Sequence, residues 1–340
     1  MTPAAPDAVI FSARGLRKHF RQQGGFGRPA ATIRAVEDVS LTVGTGETLG
    51  VVGESGCGKS TLARLMLQLI PADAGEMAFD GHRIGSSALT LHQFRRQAQM
   101  VFQDSHASLN PRLTIEDSVA FGPIVHGAPR TAARQAARQV LADVGLAAGN
   151  FAGRYPHELS GGQRQRVNIA RALVLGPRLI VFDEAVSALD KSIEAQVLAL
   201  IRDLKTRHRL TYVFISHDLN VVQHVSNRVL VMYLGKIVEI GPARDIYGAP
   251  RHPYTRALLA SRLSMDPKRR TTIVPLAGDP PNPINPPSGC RFRTRCPLVM
   301  DVCTRVEPPL ARLGPDTPHE VACHAVSKPA SGGEATRAGN

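Results

Sequence analysis

The chain has 340 residues, 43 % of them hydrophobic, enough to bury the core of one large domain with a smaller one attached and too many for wholesale disorder. It contains no run of about 18 apolar residues, which excludes a membrane-spanning helix, and the stretch 1–10 lacks the basic start and apolar core of a secretory signal, so a cytosolic chain is expected. The net charge of +13 sits at the ends: residues 1–34 carry six Lys/Arg against one acid and residues 251–340 thirteen against seven, leaving a near-neutral body. Solvated termini explain this, and so does attraction of basic arms to an anionic membrane surface. Trp is absent and the aromatics do not interleave with the basic runs, so a nucleic-acid partner is not expected.

In chain order, Val36–Val43 and Thr48–Val52 read as strands, the second running into a glycine-rich loop. Lys59–Ile70 carries Leu62, Leu65, Met66, Leu69 and Ile70 at helical spacing, and Pro71 ends it. Gln99–Phe102 reads as a strand, and the stretch from Thr114 to about Leu175 as helix-rich, with amphipathic helices at Thr131–Val144 and Gly161–Leu175. Leu179–Phe182, a helix from Ser192 to His208, and Thr211–Ile215 then alternate, which predicts a mainly parallel sheet with helices packed on it. Arg228–Tyr233 and Lys236–Ile240, joined by Leu234-Gly235, read as a hairpin. Beyond about residue 260 the composition turns Pro/Asn-rich over Pro275–Pro287; Ser327–Asn340 is small, polar and expected to be disordered. No internal repeat is visible.

Three phosphate-handling motifs stand on this frame. Gly53-Glu54-Ser55-Gly56-Cys57-Gly58-Lys59-Ser60, followed by Thr61, fills every position of the G-x-x-x-x-G-K-[ST] loop. Its glycines turn backbone N–H groups toward phosphate oxygens at a helix N-terminus; Lys59 adds a cation for the β- and γ-phosphates and Ser60 a hydroxyl for Mg²⁺. Cys57 occupies a permissive position, a tolerated small residue rather than a catalytic thiol. Asp183 closes an apolar strand, where α/β sheets bind ligands, and would hold Mg²⁺; Glu184, one residue on, is the candidate general base for the attacking water. Between them, Leu159-Ser160-Gly161-Gly162-Gln163 opens a helix with a good N-cap residue and two glycines that allow an anion to approach the backbone.

In this order the motifs closely resemble the ATP-binding cassette family. The resemblance implies an α/β P-loop NTPase: a RecA-like core over residues 9–260 with a helical subdomain at about 105–175, then a small irregular extension over 261–326. It further implies that Ser160, Gly161, Gly162 and Gln163 contact ATP bound to a partner ATPase in a head-to-tail dimer. Gln103 matches the glutamine that senses Mg²⁺ and the membrane subunit, and His217 the switch histidine at the γ-phosphate. Ser187-Ala188-Leu189-Asp190 matches the loop between the two sites, which places Asp190 at the nucleotide, and Phe20 matches the adenine-stacking aromatic, although Arg21–Ile33 after it is longer than a minimal cassette has.

Three further strings narrow the resemblance: Gln103-Asp104 with Ala107-Ser108-Leu109-Asn110-Pro111-Arg112, His252-Pro253-Tyr254-Thr255-Arg256, and Asn285-Pro286-Pro287-Ser288-Gly289-Cys290 through Arg295-Cys296-Pro297. Together they look like the F-type ATPase of bacterial oligopeptide/dipeptide importers, across about residues 9–326. Such a subunit hydrolyses ATP with Mg²⁺ on the cytoplasmic face of the bacterial inner membrane. Its partners would be a sister ATPase, two integral-membrane permeases and an extracytoplasmic solute-binding protein. The solute would be a di- or oligopeptide, or a related cargo such as a nickel complex or glutathione.

Cys290, Cys296, Cys303 and Cys323 lie within 34 residues, a spacing that suggests metal binding rather than disulfides in a cytosolic chain. Four thiolates suit Zn²⁺ or an iron–sulfur cluster, and the spacing matches neither ordinary zinc ribbons nor bacterial ferredoxins. The resemblance favours [4Fe–4S], with Arg291, Arg293 and Arg295 offsetting its charge. The competing readings are a soluble cassette ATPase working on nucleic acid or the ribosome with a zinc module, and a degenerate cassette that only binds ATP; the near-neutral body opposes the first, and Glu184 with His217 the second.

Overall fold

The computed structural model describes residues 8–22, 31–261, 281–315 and 317–326. The expectations for Ser327–Asn340, for most of Arg21–Ile33 and for the start of the Pro-rich stretch lie outside those residues. The chain opens with β1 (Val9–Gln22), β2 (Ala31–Gly44) and β3 (Thr48–Val52), then α1 (Lys59–Met66), β4 (Ala74–Phe79), β5 (His82–Arg83), α2 (Leu91–Gln97) and β6 (Ala98–Val101). A helical stretch follows: α3 (Ile115–Val125), α4 (Arg130–Asp143), α5 (Ala148–Phe151) and α6 (Gly161–Leu173). Next come β7 (Leu179–Asp183), α7 (Lys191–His208), β8 (Thr211–Ile215), α8 (Leu219–Val225), β9 (Arg228–Tyr233) and β10 (Lys236–Pro242). The last elements are α9 (Ala243–Gly248), α10 (Pro253–Ala260), α11 (Val302–Arg305), β11 (Ala311–Arg312) and β12 (Glu320–Val321).

One sheet runs β11-β12-β10-β9-β3-β8-β7-β6. Its centre, β9-β3-β8-β7-β6, is parallel, as the strand–helix alternation predicts, and β9 with β10 forms the expected antiparallel hairpin. Leu179 and Val181 of β7 point into one core while Ile180 and Phe182 point into the other, and β8 splits Val213 and Ile215 from Tyr212 and Phe214 in the same way. Strands apolar on both faces belong at the middle of such a layered fold. The first core is roofed by the antiparallel sheet β2-β1-β4-β5; the second is covered by α3, α4, α6 and α7.

Several element ends differ from expectation, the largest being the strand expected at Val36–Val43, which runs Ala31–Gly44. The helix after the loop stops at Met66 rather than Ile70, because Gln68 turns to a positive φ of 54° while Gln68 N–H and Leu69 N–H bond back to Leu65 and Arg64. The helix expected to end at Leu175 ends at Leu173, three residues before Gly176 takes a left-handed conformation. The strand expected at Gln99–Phe102 runs Ala98–Val101, in register with Leu179–Phe182, which leaves Phe102 outside the ladder.

Candidate nucleotide site

The glycine-rich loop leaves β3 at the carboxyl edge of the parallel sheet and enters α1 at Lys59. Gly53 and Gly58 take φ of 150° and 107°, and a Cβ would lie 2.3 Å from Met232 O and 2.1 Å from Ala35 O respectively. Only glycine fits either position, so the loop packs directly against the backbone of β9 at Met232 and of β2 at Ala35. Lys59 is buried and its Nζ donates to Gly53 O at 2.8 Å and Glu54 O at 3.0 Å, holding the cation over the loop it serves. Cys57 is buried, and burial pushes its thiol pKa up, which suits a packing residue rather than a nucleophile.

Ser60 Oγ donates to Asp183 Oδ1 at 2.9 Å, so the first turn of α1 and the end of β7 present a hydroxyl and a carboxylate side by side. Hard oxygen donors of this kind fit Mg²⁺. Burial raises the Asp183 pKa, opposed by the Ser60 hydrogen bond and reinforced by the neighbouring Glu184 charge. A bound cation would reverse that balance. Glu184 itself takes a left-handed φ of 48°, held by its N–H bond to Ile215 O at 3.0 Å. That turn swings its side chain away from Asp183's course. Glu184 Oε2 accepts from Gln103 Nε2 at 3.1 Å and lies 3.2 Å from His217 Nδ1. Three residues that the sequence places 81 and 33 positions apart thus meet on one carboxylate oxygen.

The Leu159–Gln163 motif folds as a capping box: Ser160 Oγ accepts from Gln163 N–H at 3.3 Å while Gln163 Oε1 accepts from Ser160 N–H at 2.9 Å. A Cβ on Gly162 would lie 2.5 Å from Ile193 Cγ2, so glycine there lets α6 press against α7. Among the described residues, the side-chain hydrogen bonds of Ser160 and Gln163 stay within this motif, and none reaches Lys59 or Ser60. Asp190 is the exposed N-cap of α7 with no cap bond from its side chain, and Phe20 is exposed near the end of β1 with Lys18 Nζ 5.7 Å from its ring centre.

The cysteines do not form the expected cluster. All four are free; Cys303 and Cys323 are buried, and Cys290 and Cys296 half-buried. They share one neighbourhood, since the Cys290 thiol is pushed up to about 11 mainly by burial, with the other three sulfurs adding repulsion. Among the described residues, however, no three His, Cys, Asp or Glu side chains converge closely enough to hold a metal ion. Neither [4Fe–4S] nor zinc therefore finds support in this geometry. The arginines meant to offset cluster charge point elsewhere: Arg291 donates to Leu234 O, Arg293 Nε to Ser288 O at 2.9 Å, and Arg295 grips Glu54 in the phosphate loop. The sequence reading missed that last contact because the two residues lie 241 positions apart.

Comparison with known proteins gives a consistent set of likenesses. The family profile described as "ABC transporter" matches residues 36–187, and that described as "Oligopeptide/dipeptide transporter, C-terminal region" matches residues 238–303. A probable peptide ABC transporter ATP-binding protein of Sinorhizobium fredii is 49 % identical, over 95 % of this chain and 91 % of its own length. The oligopeptide transport ATP-binding protein AppF of Bacillus subtilis is 47 % identical, over 95 % of this chain and 99 % of its own. OppF of Escherichia coli, described in the same words, is 47 % identical over 89 % and 92 %. Among solved structures, cbiO1 from Clostridium perfringens aligns with a TM-score of 0.60 at 23 % identity, covering 71 % of this chain and 91 % of that one, a likeness of fold.

Proposed function

The chain belongs to the ABC transporter ATP-binding proteins, in their oligopeptide/dipeptide branch, and from that premise we propose that it hydrolyses ATP to drive import of di- or oligopeptides. The observation that carries the reading is the meeting of Gln103, Glu184 and His217 beside the Ser60–Asp183 pair. The phosphate loop and Lys59 bind the triphosphate, and Ser60 with Asp183 would hold Mg²⁺, which when bound neutralises charge on the phosphate oxygens. Glu184 accepts a proton from the attacking water, oriented by Gln103 and His217.

Ser160 has no route to its own chain's loop by any hydrogen bond described above. That supports a site completed in trans, by a sister ATPase whose Ser160-like signature faces this chain's phosphates while Ser160 faces the sister's. Phe20 and Asp190 join the nucleotide from the exposed ends of β1 and α7. Two integral-membrane permeases and an extracytoplasmic solute-binding protein complete the assembly on the cytoplasmic face of the bacterial membrane. Among the described residues no helix is long and apolar enough to cross a membrane, so the anchor would come from the permeases. Exposed Leu69, Phe102 and Phe121, bordering a groove between the sheet and the helical stretch, offer the apolar footing such a contact needs.

Co-expression with the two permeases, the sister ATPase and the binding protein tests this. A membrane complex containing the chain, whose ATPase rises when peptide-loaded binding protein is added, is the expected result. A complex stimulated by a nickel chelate or glutathione and not by peptides would overturn the peptide assignment; failure to enter any membrane complex would overturn the transport role.

A further inference from the structure

Residue Glu54 occupies a variable position of the phosphate loop, and a carboxylate there faces an obvious difficulty: its charge stands beside the site where a triphosphate binds. The structure restrains it from two sides, both outside the loop. Its backbone N–H donates to the Tyr254 hydroxyl at 2.8 Å, from the first turn of α10. Its carboxylate takes a two-pronged grip from Arg295, Nη1 to Oε2 at 2.9 Å and Nη2 to Oε1 at 3.1 Å. The Arg295 side chain is 5 % exposed and that of Glu54 22 %, so water screens the pair poorly. Burial opposes the Arg295 charge, and the hydrogen bonds to Glu54 and Tyr233 outweigh it, raising its pKa.

Arg295 stands immediately before Cys296, and its backbone N–H bonds to Phe292 O at 3.0 Å. Phe292 packs edge-on against Tyr233 and Tyr254, so one buried aromatic group joins the cysteine-bearing turn to the holder of the Glu54 N–H. A second tie runs in parallel: Arg291 donates to Leu234 O, and the next residue, Gly235, donates its N–H to Cys57 O of the loop at 2.8 Å. Arg295 thus reaches the six-residue loop directly from beyond the core cassette, and Phe292 and Arg291 reach it indirectly, through Tyr254 and through Leu234-Gly235.

We propose that Arg295 is a positioning residue of the nucleotide site, through which the C-terminal extension sets ATP affinity by neutralising and anchoring Glu54. The proposal rests on the nucleotide-site reading above. Its sign is specific. Removing the guanidinium frees a carboxylate to face the phosphates, so binding weakens; removing the carboxyl charge as well relieves that repulsion, so binding returns. A contact that only stabilised the fold would instead lower the Tm in the single variant and restore it in the double, leaving the ATP affinity of the folded protein unchanged.

The experiment titrates a fluorescent ATP analogue with Mg²⁺ into the full purified chain, into Arg295→Met, which keeps the apolar stem beside Tyr233, and into the double variant Glu54→Gln/Arg295→Met. Arg295→Met is expected to weaken binding by about tenfold, equivalent to about 1.4 kcal/mol, and the double variant to recover most of that loss. If Arg295→Met does not fold, Arg295→Lys, which keeps a charge but not the two-pronged grip, takes its place: weakened ATP binding at unchanged Tm supports the proposal and unchanged affinity overturns it. Unchanged affinity in Arg295→Met, or a double variant with affinity no better than the single, overturns the proposal. A wild-type chain that binds no ATP would overturn both this proposal and the site reading beneath it.

Discussion

Asp183 carries a conflict that a single substitution exposes. Burial raises its pKa, so the folded chain binds a proton there more tightly than the unfolded one. A carboxyl raised in this way subtracts stability as pH climbs through its folded pKa, and has no effect below the ordinary carboxylate range, where both states are protonated. Asp183→Asn keeps an acceptor for Ser60 and discards the charge. It is expected to raise the Tm at pH 7.5 by about 2–4 °C for each kcal/mol relieved, with the gain vanishing toward pH 4, while Mg²⁺-dependent turnover is lost. An unchanged or lowered Tm at pH 7.5 would show that the buried carboxylate is not a burden. Residues of this kind were legible in the sequence because each sits at a fixed offset from an element end: Lys59 and Ser60 open α1, Asp183 ends β7 and Glu184 follows it. Arg295 was not legible, since nothing local ties it to Glu54 and the contact arises only when the extension folds back on the loop.

Among the elements, α6 combines a cap, a close approach and a proposed intermolecular role. Replacing Ser160 by Ala removes the Oγ that accepts from Gln163 N–H, and is expected to cost about 1 kcal/mol of stability by thermal unfolding. In the assembled transporter the same change is expected to cut turnover far more than it cuts ATP binding by the isolated chain, as completion in trans requires. Equal losses in the two assays would make Ser160 a helix cap and nothing more. The parallel strands were legible because both faces are apolar and each run is bounded by polar turns. The antiparallel roof was read only in part. β1 alternates irregularly, with register shifts against β2 around Leu16 and Lys18 that blur its period of two. β5, β11 and β12 are two residues long and carry no pattern at all.

For the whole molecule, the extension is woven into the cassette. β12 pairs with β10 at the sheet edge, and the buried Glu239 takes His319 Nε2 at 2.7 Å and the Arg251 and His252 N–H groups at 2.7 and 3.0 Å. A four-cysteine spacing invited a metal because composition shows how many sulfurs a segment has, not how they face one another. The folded extension brings them near without making, among the described residues, a ligand set. What the sequence did carry to this scale is the order of the three phosphate motifs, two of which, the glycine-rich loop and the Asp183–Glu184 strand end, the fold brings together at the carboxyl edge of one sheet.

Glu184 is therefore where the central claim is most exposed. In a purified assembly whose sister site has been inactivated, Glu184→Gln should leave Mg²⁺-ATP binding intact and lower turnover by at least about 10²-fold, the lower range for loss of a general base. Near-normal turnover in that assembly would contradict the claim that this carboxylate, held between Gln103 and His217, activates the water for ATP hydrolysis.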